Sequence, residues 1–340
     1  MKIAMGQKGV ATGLEPEEEL WNIDIYCLLE APQELFFGLE PRVEVSIIET
    51  VKVPIGPGKE DYMIKCYLSP TKRRGIERRA LLYTIVKNNE NMEVPLADML
   101  KCGIPITCCD DNCIVCRLYG GLIVGENLSL QGRLYHGGGT AVQPIGPVEK
   151  FRSRVPTLFK KGSAKELPKE YIDEAIRATK VKEEDVGFPM PFKRQYAEPG
   201  HVFPVSNHGL LLNEFEINAT SFAFLKSLSL LGSGTPKGVS IFYGPLFRDI
   251  EEPYLVFDIY KVPLGSRILF SPFEVDLARV IERFKKLSTE LSLELRGQKI
   301  ESENFKRYVG EEALNELRMR SKLFYNELPN YLKMIQTSKG

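Results

Sequence analysis

The sequence predicts an α+β protein, and three features of the chain support this. Residues 210–262 read as strand, helix, strand and strand, which is most of a split βαβ unit. An amphipathic helix follows from residue 271, and the chain from 302 to 335 is charged and helical in pattern. A cysteine-rich stretch interrupts the first half. The chain has 340 residues, enough for two domains or one heavily elaborated domain.

Strand and helix patterns alternate along the chain. Valine and isoleucine at alternate positions make residues 42–53 the first clear strand, and the turn PIGPGKED joins it to a partner strand. Residues 1–41 read as irregular around one short apolar segment. The expected elements are strands at 42–53, 63–68, 80–87, 210–219, 239–243 and 254–262, a hairpin within 122–135, and helices at 94–101, 171–182, 221–231, 271–297 and 302–335.

Most of the cysteines fall in one short stretch that ends in CCDDNCIVC. Cys113 and Cys116 form a C-x2-C pair, which brings two thiolates to one metal ion, and structural zinc takes four such ligands. Cys108 and His136 are alternative ligands, and the other interpretation is a group of reduced, buried thiols that includes a redox pair. The predicted ligands of one structural zinc ion are Cys102, Cys109, Cys113 and Cys116.

Basic residues are concentrated in the segment SPTKRRGIERR at 69–79, between two expected strands. Arginine bonds phosphate bidentately, so the segment predicts either contact with a phosphate backbone or, as with most charge runs, a solvated loop. A second basic segment follows at 144–170. The candidate phosphate-binding residues of the two segments are Lys72, Arg73, Arg74, Arg78, Arg79, Lys150, Arg152 and Arg154.

Aromatic and basic residues are mixed in GFPMPFKRQYAEPGHVFP at 187–204, which shows no regular periodicity. Such a loop suits stacking on nucleobases together with phosphate contact. The alternative is a proline-rich surface loop whose rings pack on the core. The candidate nucleic-acid contacts in this loop are Phe192, Lys193, Arg194 and Tyr196.

The composition limits the compartment and the chemistry. Lys and Arg number 45, as do Asp and Glu, so any nucleic-acid site is a local patch. The most apolar run, 221–231, is too short to span a bilayer, and MKIAMGQKGVATG lacks the apolar region of a signal peptide. We therefore expect a cytoplasmic protein with reduced cysteines and no membrane contact. Nothing in the spacing pairs His201 or His208 with an acid, so we expect no enzyme activity.

The segment CIVCRLYG at 113–120 resembles the C-x2-C-x2-[FY]-G signature of CRISPR-associated RAMP proteins. These are the crRNA-binding backbone subunits of Cascade and related effector complexes. The helix at 221–231 followed by LGSGTPKGVSIFYGPL, and the loop that ends in PGHVFP, also resemble this family. The length, the cysteine-rich insertion and the helical C-terminus are most similar to its type I-D branch.

The resemblance implies an RRM-like, ferredoxin-type core with large insertions. It also implies sequence-independent binding of single-stranded crRNA, self-association of copies along that RNA and contact with other Cascade subunits. Related type III subunits cut target RNA with an aspartate in an early loop, and Asp61 has no supporting motif for that role. The implied division is a core at about 42–90 and 205–270, a zinc-binding insertion at 91–145, an insertion or thumb-like region at 146–204, and a helical C-terminal region at 271–340.

Three functions are compatible with these observations. We favour a non-catalytic RNA-binding backbone subunit of a type I, I-D-like interference complex, with zinc as a structural cofactor. The second is a metal-dependent ribonuclease, and the third is a zinc-stabilised protein-interaction subunit without nucleic acid. A closed site with four protein ligands favours the first or third, whereas three ligands plus water favour the second.

Overall fold

The computed structural model describes most of the chain, with gaps. The described residues are 19–42, 45–90, 102, 107–110, 112–154, 190–232, 238–247, 250–261, 270–289, 294–295, 298–299 and 302–338. None of the helices within these ranges is both long and apolar enough to cross a membrane.

The described residues form eighteen strands and five α-helices. The strands are β1 (Trp21–Glu30), β2 (Gly38–Arg42), β3 (Val45–Ile48), β4 (Thr50–Pro54), β5 (Tyr62–Cys66), β6 (Gly121–Ile123), β7 (Leu128–Leu130), β8 (Leu134–Gly138), β9 (Val148–Arg154), β10 (Met190–Tyr196), β11 (Val202–Leu212), β12 (Ser240–Ile241), β13 (Tyr243–Phe247), β14 (Ile250–Pro253), β15 (Leu255–Tyr260), β16 (Glu294–Leu295), β17 (Gln298–Lys299) and β18 (Phe305–Val309). The helices are α1 (Pro70–Glu90), α2 (Ile114–Tyr119), α3 (Glu214–Leu228), α4 (Leu277–Thr289) and α5 (Glu311–Ser338).

An antiparallel sheet in the order β18-β15-β1-β11-β8 forms the centre of the protein, and β12 pairs with the end of β1. Its two faces are both covered by helices. Ile23 and Leu29 of β1 pack in the larger core with residues of α1, α3 and α5. Tyr26 and Leu28 pack in a smaller core with Phe284 of α4. The prediction of an α+β protein is confirmed at this level.

A second sheet has the order β2-β3-β10-β9, with β10 parallel to β3 and antiparallel to β9. The remaining strands form two-stranded hairpins. Two of these hairpins agree with the sequence: β4 pairs with β5 across the turn PIGPGKED, and β6 pairs with β7 where a hairpin was expected within 122–135, although the second strand ends at Leu130 and residues 134–135 belong to β8. The helices expected at 94–101 and 171–182 lie outside the described residues.

The central strand β1 is the largest difference from the sequence prediction. Residues 21–30 were expected to be irregular, and the strand predicted at 42–53 is divided among β2, β3 and β4, outside the central sheet. Every residue of β1 between its two ends is buried. A strand with both faces buried lacks the alternation of apolar and polar residues by which half-buried strands are recognised.

Helix α1 replaces the basic loop and the strand that were predicted at 69–79 and 80–87. Its buried positions include Arg73, Glu77, Leu81 and Ile85, which are spaced four residues apart on one face. Because charged residues occupy the first two of these positions, the helical period is hidden when only apolar residues are counted. Pro70 stands at the first helical position, where its missing N–H costs nothing.

Helix α3 begins seven residues before the expected helix at 221–231, so the strand predicted at 210–219 is wrong in its second half. Asn213 accepts a hydrogen bond from the Glu216 amide, and the Glu216 carboxylate accepts one from the Asn213 amide. This capping box fixes the helix start. Further along the chain, α4 is shorter than the helix expected at 271–297, and β18 precedes α5 inside the tail that was expected to be wholly helical.

Candidate metal centre and basic surfaces

The cysteine-rich stretch is positioned by the short helix α2. Cys113 is its N-cap residue and Cys116 lies three residues later, so both side chains lie on the same side of the first turn. The Cys113 amide donates to the carbonyl of Asp110, and the Gly120 amide donates to the carbonyl of Cys116. These backbone hydrogen bonds hold the C-x2-C pair in one orientation.

Four thiols meet at this point, those of Cys102, Cys108, Cys113 and Cys116, and their sulfur atoms all lie within 4.8 Å of one another. The Cys116 sulfur is 3.6 Å from that of Cys102 and 3.5 Å from that of Cys108. The Cys102 and Cys113 sulfurs are 3.9 Å apart. Zinc–sulfur bonds of about 2.3 Å give a tetrahedron whose edges are about 3.8 Å. The four sulfurs therefore fit a tetrahedral metal ion, and all seven cysteines are free thiols.

Cys109, a predicted ligand, is not among these four residues, and Cys108 occupies the position in the cluster that the sequence prediction gave to Cys109. The Cys109 backbone has a φ of 45°, and its sulfur lies 3.2 Å from the Thr107 hydroxyl. The backbone at Cys109 is left-handed, and the side chains of the two adjacent cysteines have different surroundings: the Cys108 sulfur lies in the cluster and the Cys109 sulfur lies beside Thr107. His136, the alternative ligand, is not part of this cluster, and its Nε2 lies 2.8 Å from Glu77 Oε2.

The pKa values of the clustered thiols shift in opposite directions. Hydrogen bonds from Cys108, Cys113 and Cys116 lower the pKa of Cys102. The pKa of Cys113 is raised, first because its proton is shared with the Cys102 sulfur and also because burial disfavours a thiolate. A cation bound between them would displace these protons, so its affinity would increase with pH.

Two contacts tie the thiol cluster to distant parts of the chain. The Ile114 amide donates to the Tyr331 hydroxyl of α5 at 2.8 Å, and that hydroxyl donates to the Asn112 carbonyl. The Arg117 guanidinium lies 2.6 Å from the buried Glu216 carboxylate of α3. The cluster thus connects α2, α3 and α5 within the larger core.

The glycine that ends the CIVCRLYG motif has a geometric role. Gly120 has a φ of +75°, and an added Cβ would lie 2.9 Å from the Leu130 carbonyl oxygen. A Cβ on Gly132 would lie 2.6 Å from the Gly120 nitrogen, so the two backbones are in direct contact. Any larger residue would separate α2 from the β7–β8 connection.

Arg73 is buried, which contradicts its prediction as an exposed phosphate contact. Its side chain is 1% exposed. The guanidinium donates to Asn207 Oδ1 and to the carbonyl oxygens of Gly137 and Ser206. Burial lowers the pKa of Arg73, and the nearby Glu77 carboxylate raises it. Arg73 therefore holds α1 against β8 and β11.

The other basic residues of α1 are accessible to different degrees. Lys72 pairs with Glu49 at 3.2 Å and lies over the Phe37 ring. Arg74 donates to the Tyr119 carbonyl, at the end of the helix that carries Cys116. Arg74 and Arg78 line a cavity beside α1, and Arg79 lies outside that lining. Their roles as phosphate contacts remain predictions.

Strands β9 and β10 bring together two groups of predicted contacts. The register pairs Arg152 with Phe192, Lys150 with Arg194 and Arg154 with Met190. Directly opposite residues in an antiparallel pair share a face, and alternate residues in a strand share a face. Positions 150, 152, 154, 192, 194 and 196 therefore lie on one face of this sheet, which meets the core at its Tyr196 end. Lys193 occupies the opposite face, paired with Phe151.

Tyr196 is buried, so its prediction as an exposed stacking residue is wrong. It is 4% exposed, and its ring centroid lies 5.9 Å from that of Phe36. The Arg194 guanidinium lies 4.1 Å from the centre of the Phe36 ring. This part of 187–204 is a strand rather than a loop, and one of its rings packs on the core.

A row of polar residues crosses the central sheet, and no spacing in the sequence could indicate it. His208 of β11 lies 2.8 Å from Asp24 of β1, and Arg307 of β18 makes two hydrogen bonds to Asp258 of β15. Asp24 and Asp258 are directly opposite each other and fully buried. His208 thus has an acidic partner, contrary to expectation, but the network lies inside the sheet and joins its strands.

Comparison with solved structures gives weak likenesses to proteins of CRISPR complexes. The crystal structure of Thermofilum pendens Csc2 is 15% identical, with 98% of this chain and 94% of that chain covered and a TM-score of 0.40. A CRISPR RNA-guided surveillance complex gives 12% identity, coverage of 84% and 87%, and a TM-score of 0.41. A type IV-B CRISPR complex gives 13% identity, with 77% of this chain and 98% of that chain covered and a TM-score of 0.35.

Neither a protein-family model nor a curated protein matches the chain. The solved structures named above are of Csc2 and of chains in CRISPR complexes.

Proposed function

We propose that the protein is a non-catalytic RNA-binding backbone subunit of a type I, I-D-like CRISPR interference complex. In this role it binds crRNA independently of sequence, associates with further copies along that RNA and contacts other subunits of the complex. The observation that carries the proposal is the β9–β10 face beyond its buried end at Tyr196, where Lys150, Arg152, Arg154 and Arg194 share one face with Phe192. Cationic groups hold a phosphate backbone and an aromatic ring stacks on any base, so this combination suits RNA of any sequence.

The topology of the central sheet supports an RRM-like, ferredoxin-type core. In chain order, β1, α1, β8, β11, α3 and β15 give a β-α-β-β-α-β series. In this proposal the core begins near residue 21 rather than 42 and includes β8. The rest of 91–145 and the segment 146–201 are insertions between its elements, and 271–340 adds α4, β18 and α5 outside the series.

We further propose that the four-thiol cluster holds one structural zinc ion. Four sulfur ligands close a tetrahedral site, which leaves no position for a catalytic water. The site is surrounded by core residues and by the Tyr331 contact, as expected for a metal that stabilises the fold. This argues against the open metal site that the ribonuclease alternative requires.

Mutation of the β9–β10 face should separate charge from stacking. Lys150→Gln with Arg152→Gln should flatten the plot of log affinity against log salt by about 0.7 for each phosphate group that the variant no longer neutralises. Phe192→Ala should cost about 1–3 kcal/mol of binding free energy and leave the salt slope unchanged. Fluorescence anisotropy of labelled single-stranded RNA over a salt series measures both effects.

Lys193→Gln is the matched control, because it removes one positive charge from the same strand at a position on the opposite face. It should change the salt slope less than Arg152→Gln does. Equal slopes for Lys193→Gln and Arg152→Gln would show that the contact surface is elsewhere. Normal RNA binding by both face variants, with the fold intact, would refute the proposed surface.

Purified protein should not cut RNA. The Asp61 carboxylate accepts a hydrogen bond from the Gly58 amide at 2.9 Å and closes the β4–β5 turn. It is therefore a turn residue rather than a base in a cleft. Labelled single-stranded RNA incubated with the protein and Mg²⁺ or Mn²⁺ should remain full length. Cleavage that a point substitution in this chain abolishes would establish an enzyme instead.

A further inference from the structure

Two connections between the two larger sheets run side by side. Residues 139–147 lead from β8 to β9, and residues 197–201 lead from β10 to β11. Since β8 pairs with β11 and β9 pairs with β10, the two connections form the base of the β9–β10 pair. The contacts that hold them together therefore determine how the β9–β10 face is oriented against the central sheet.

Apolar packing holds this base only at its start. Val142 and Val202 are buried, and the Val142 amide donates to the Val202 carbonyl at 2.8 Å. From 143 to 149 no residue is buried, and the Ile145 side chain is 54% exposed. Beyond Val142, polar contacts have to join the two connections.

Gln143 makes the contact that the backbone cannot make. An antiparallel ladder would continue two residues beyond Val142, at Pro144, which has no N–H to donate. The Gln143 side chain donates from Nε2 to the Gly200 carbonyl at 2.8 Å and accepts at Oε1 from the Val202 amide at 2.9 Å. One amide group thus supplies both a donor and an acceptor across the base.

His201 makes a second contact across the base. Its side chain is buried, and its ring stacks against Phe203 with the ring centroids 6.2 Å apart. His201 Nε2 lies 3.4 Å from the carbonyl oxygen of Ile145, and Nδ1 lies 2.8 Å from that of Glu198. A histidine for which the sequence indicated no partner therefore joins the two connections.

The connection 197–201 is also bonded to the chain that follows β1. Leu35 and Ala197 exchange two backbone hydrogen bonds, of 3.0 and 2.9 Å. The Gly200 amide donates to the Ala31 carbonyl at 2.8 Å. Because 197–201 is fixed on this side, the orientation of β9 depends on how firmly 139–147 is held to it, and Gln143 makes two of the bonds that hold it.

We propose that Gln143 is a positioning residue for RNA binding, whose side-chain amide fixes the orientation of the β9–β10 face in the free protein. This role rests on the proposed function, because the oriented face is the proposed RNA-binding surface. A surface that is already oriented loses less conformational freedom on binding, so it binds more tightly than a mobile one.

The distance between two spin labels tests the orientation without RNA. One label replaces residue 154, at the end of β9 far from the base, and the other replaces Tyr83, which is 63% exposed on α1. Both are introduced as noncanonical amino acids, because the chain has seven cysteines. Gln143→Ala should broaden the distance distribution of the wild type. Gln131→Ala, the same change at an exposed glutamine between β7 and β8, should not.

Gln143→Ala should also weaken binding of single-stranded RNA about three- to tenfold, because the face then has to be ordered on binding. The salt slope and the melting temperature should be unchanged, since the charges and the core are retained. The double variant Gln143→Ala with Pro144→Ala should recover part of the affinity and narrow the distance distribution, because it gives the backbone the N–H that proline lacks. Fluorescence anisotropy and thermal unfolding measure these effects.

A distance distribution that stays as narrow in Gln143→Ala as in wild type overturns the proposal. So does a broadened distribution with unchanged RNA affinity, provided that Arg152→Gln does weaken binding. A loss of affinity that accompanies a lower melting temperature in Gln143→Ala shows a general structural role and also overturns it. Unchanged affinity in both Gln143→Ala and Arg152→Gln refutes the RNA-binding face itself, and the spin-label distances then still decide whether Gln143 orients these strands.

Discussion

Cys108→Ser should remove the bound metal and lower the melting temperature by more than about 10 °C, whereas Cys109→Ser should do neither. Cys108 contributes one of four sulfurs spaced like the corners of a zinc tetrahedron, and Cys109 does not. Structural zinc contributes about 10–16 kcal/mol of binding free energy in small metal-dependent domains, and each kcal/mol is worth about 2–4 °C in a chain of 150–250 residues. Metal analysis after dialysis, with thermal unfolding of both variants, measures the difference.

The pair of variants is matched because the two cysteines are adjacent and the substitution is the same. Wild-type protein should carry about one zinc ion per chain. Metal retained by Cys108→Ser and absent from Cys109→Ser would restore the assignment made from the sequence. Metal-free wild-type protein whose melting temperature is unaffected by a chelator would show that the cluster is a group of buried thiols.

Arg73→Met should destabilise the fold by about 3–5 kcal/mol, the usual cost of breaking a buried charged network. The variant removes three hydrogen bonds to β8 and β11 and the nearby guanidinium charge, so the buried Glu77 carboxylate keeps only His136 and Asn207 as hydrogen-bond partners among the described residues. Denaturant unfolding at equilibrium measures this free energy. Arg79→Met, on the same helix, should change stability by no more than about 0.5 kcal/mol.

The double variant Arg73→Met with Glu77→Gln keeps this prediction testable if the single variant fails to fold. Removing both charges should restore part of the stability, because neither is then left uncompensated. An Arg73→Met protein that unfolds like wild type but binds RNA poorly would mean that the guanidinium faces solvent. That result would return Arg73 to the phosphate-binding surface expected from the sequence.

The sequence predicts well where local chemistry decides the structure. The C-x2-C spacing located the thiol cluster, and the turn PIGPGKED located the β4–β5 hairpin. It does not indicate which of two adjacent cysteines joins the cluster, because no sequence pattern reveals the left-handed backbone that Cys109 adopts. The capping box of Asn213 and Glu216 is a sequence signal for the start of α3, and it contradicts a strand that continues to residue 219.

Long-range pairing accounts for the remaining errors. The hydrogen bond between Asp24 and His208 joins residues 184 positions apart, and no local pattern predicts it. Arg73 and Glu77 read as surface charges because burying them is favourable only when β11 supplies Asn207. The β9–β10 register likewise determines which basic residues share a face, and the sequence alone could not exclude Lys193 from that face.

The central position of β1 also governs how the protein is made. All of its partner strands come much later in the chain: β11 begins at Val202, β12 at Ser240 and β15 at Leu255. At about 5–20 residues per second, a ribosome that has released Glu30 needs roughly 10–35 seconds to reach Val202. During this time the apolar segment of β1 has no partner strand on either edge. Unpaired strand edges can pair with other chains. Chaperones that bind nascent chains should therefore increase the yield of this protein in soluble form. The increase should be larger than for a protein whose first strand lies at the edge of its sheet.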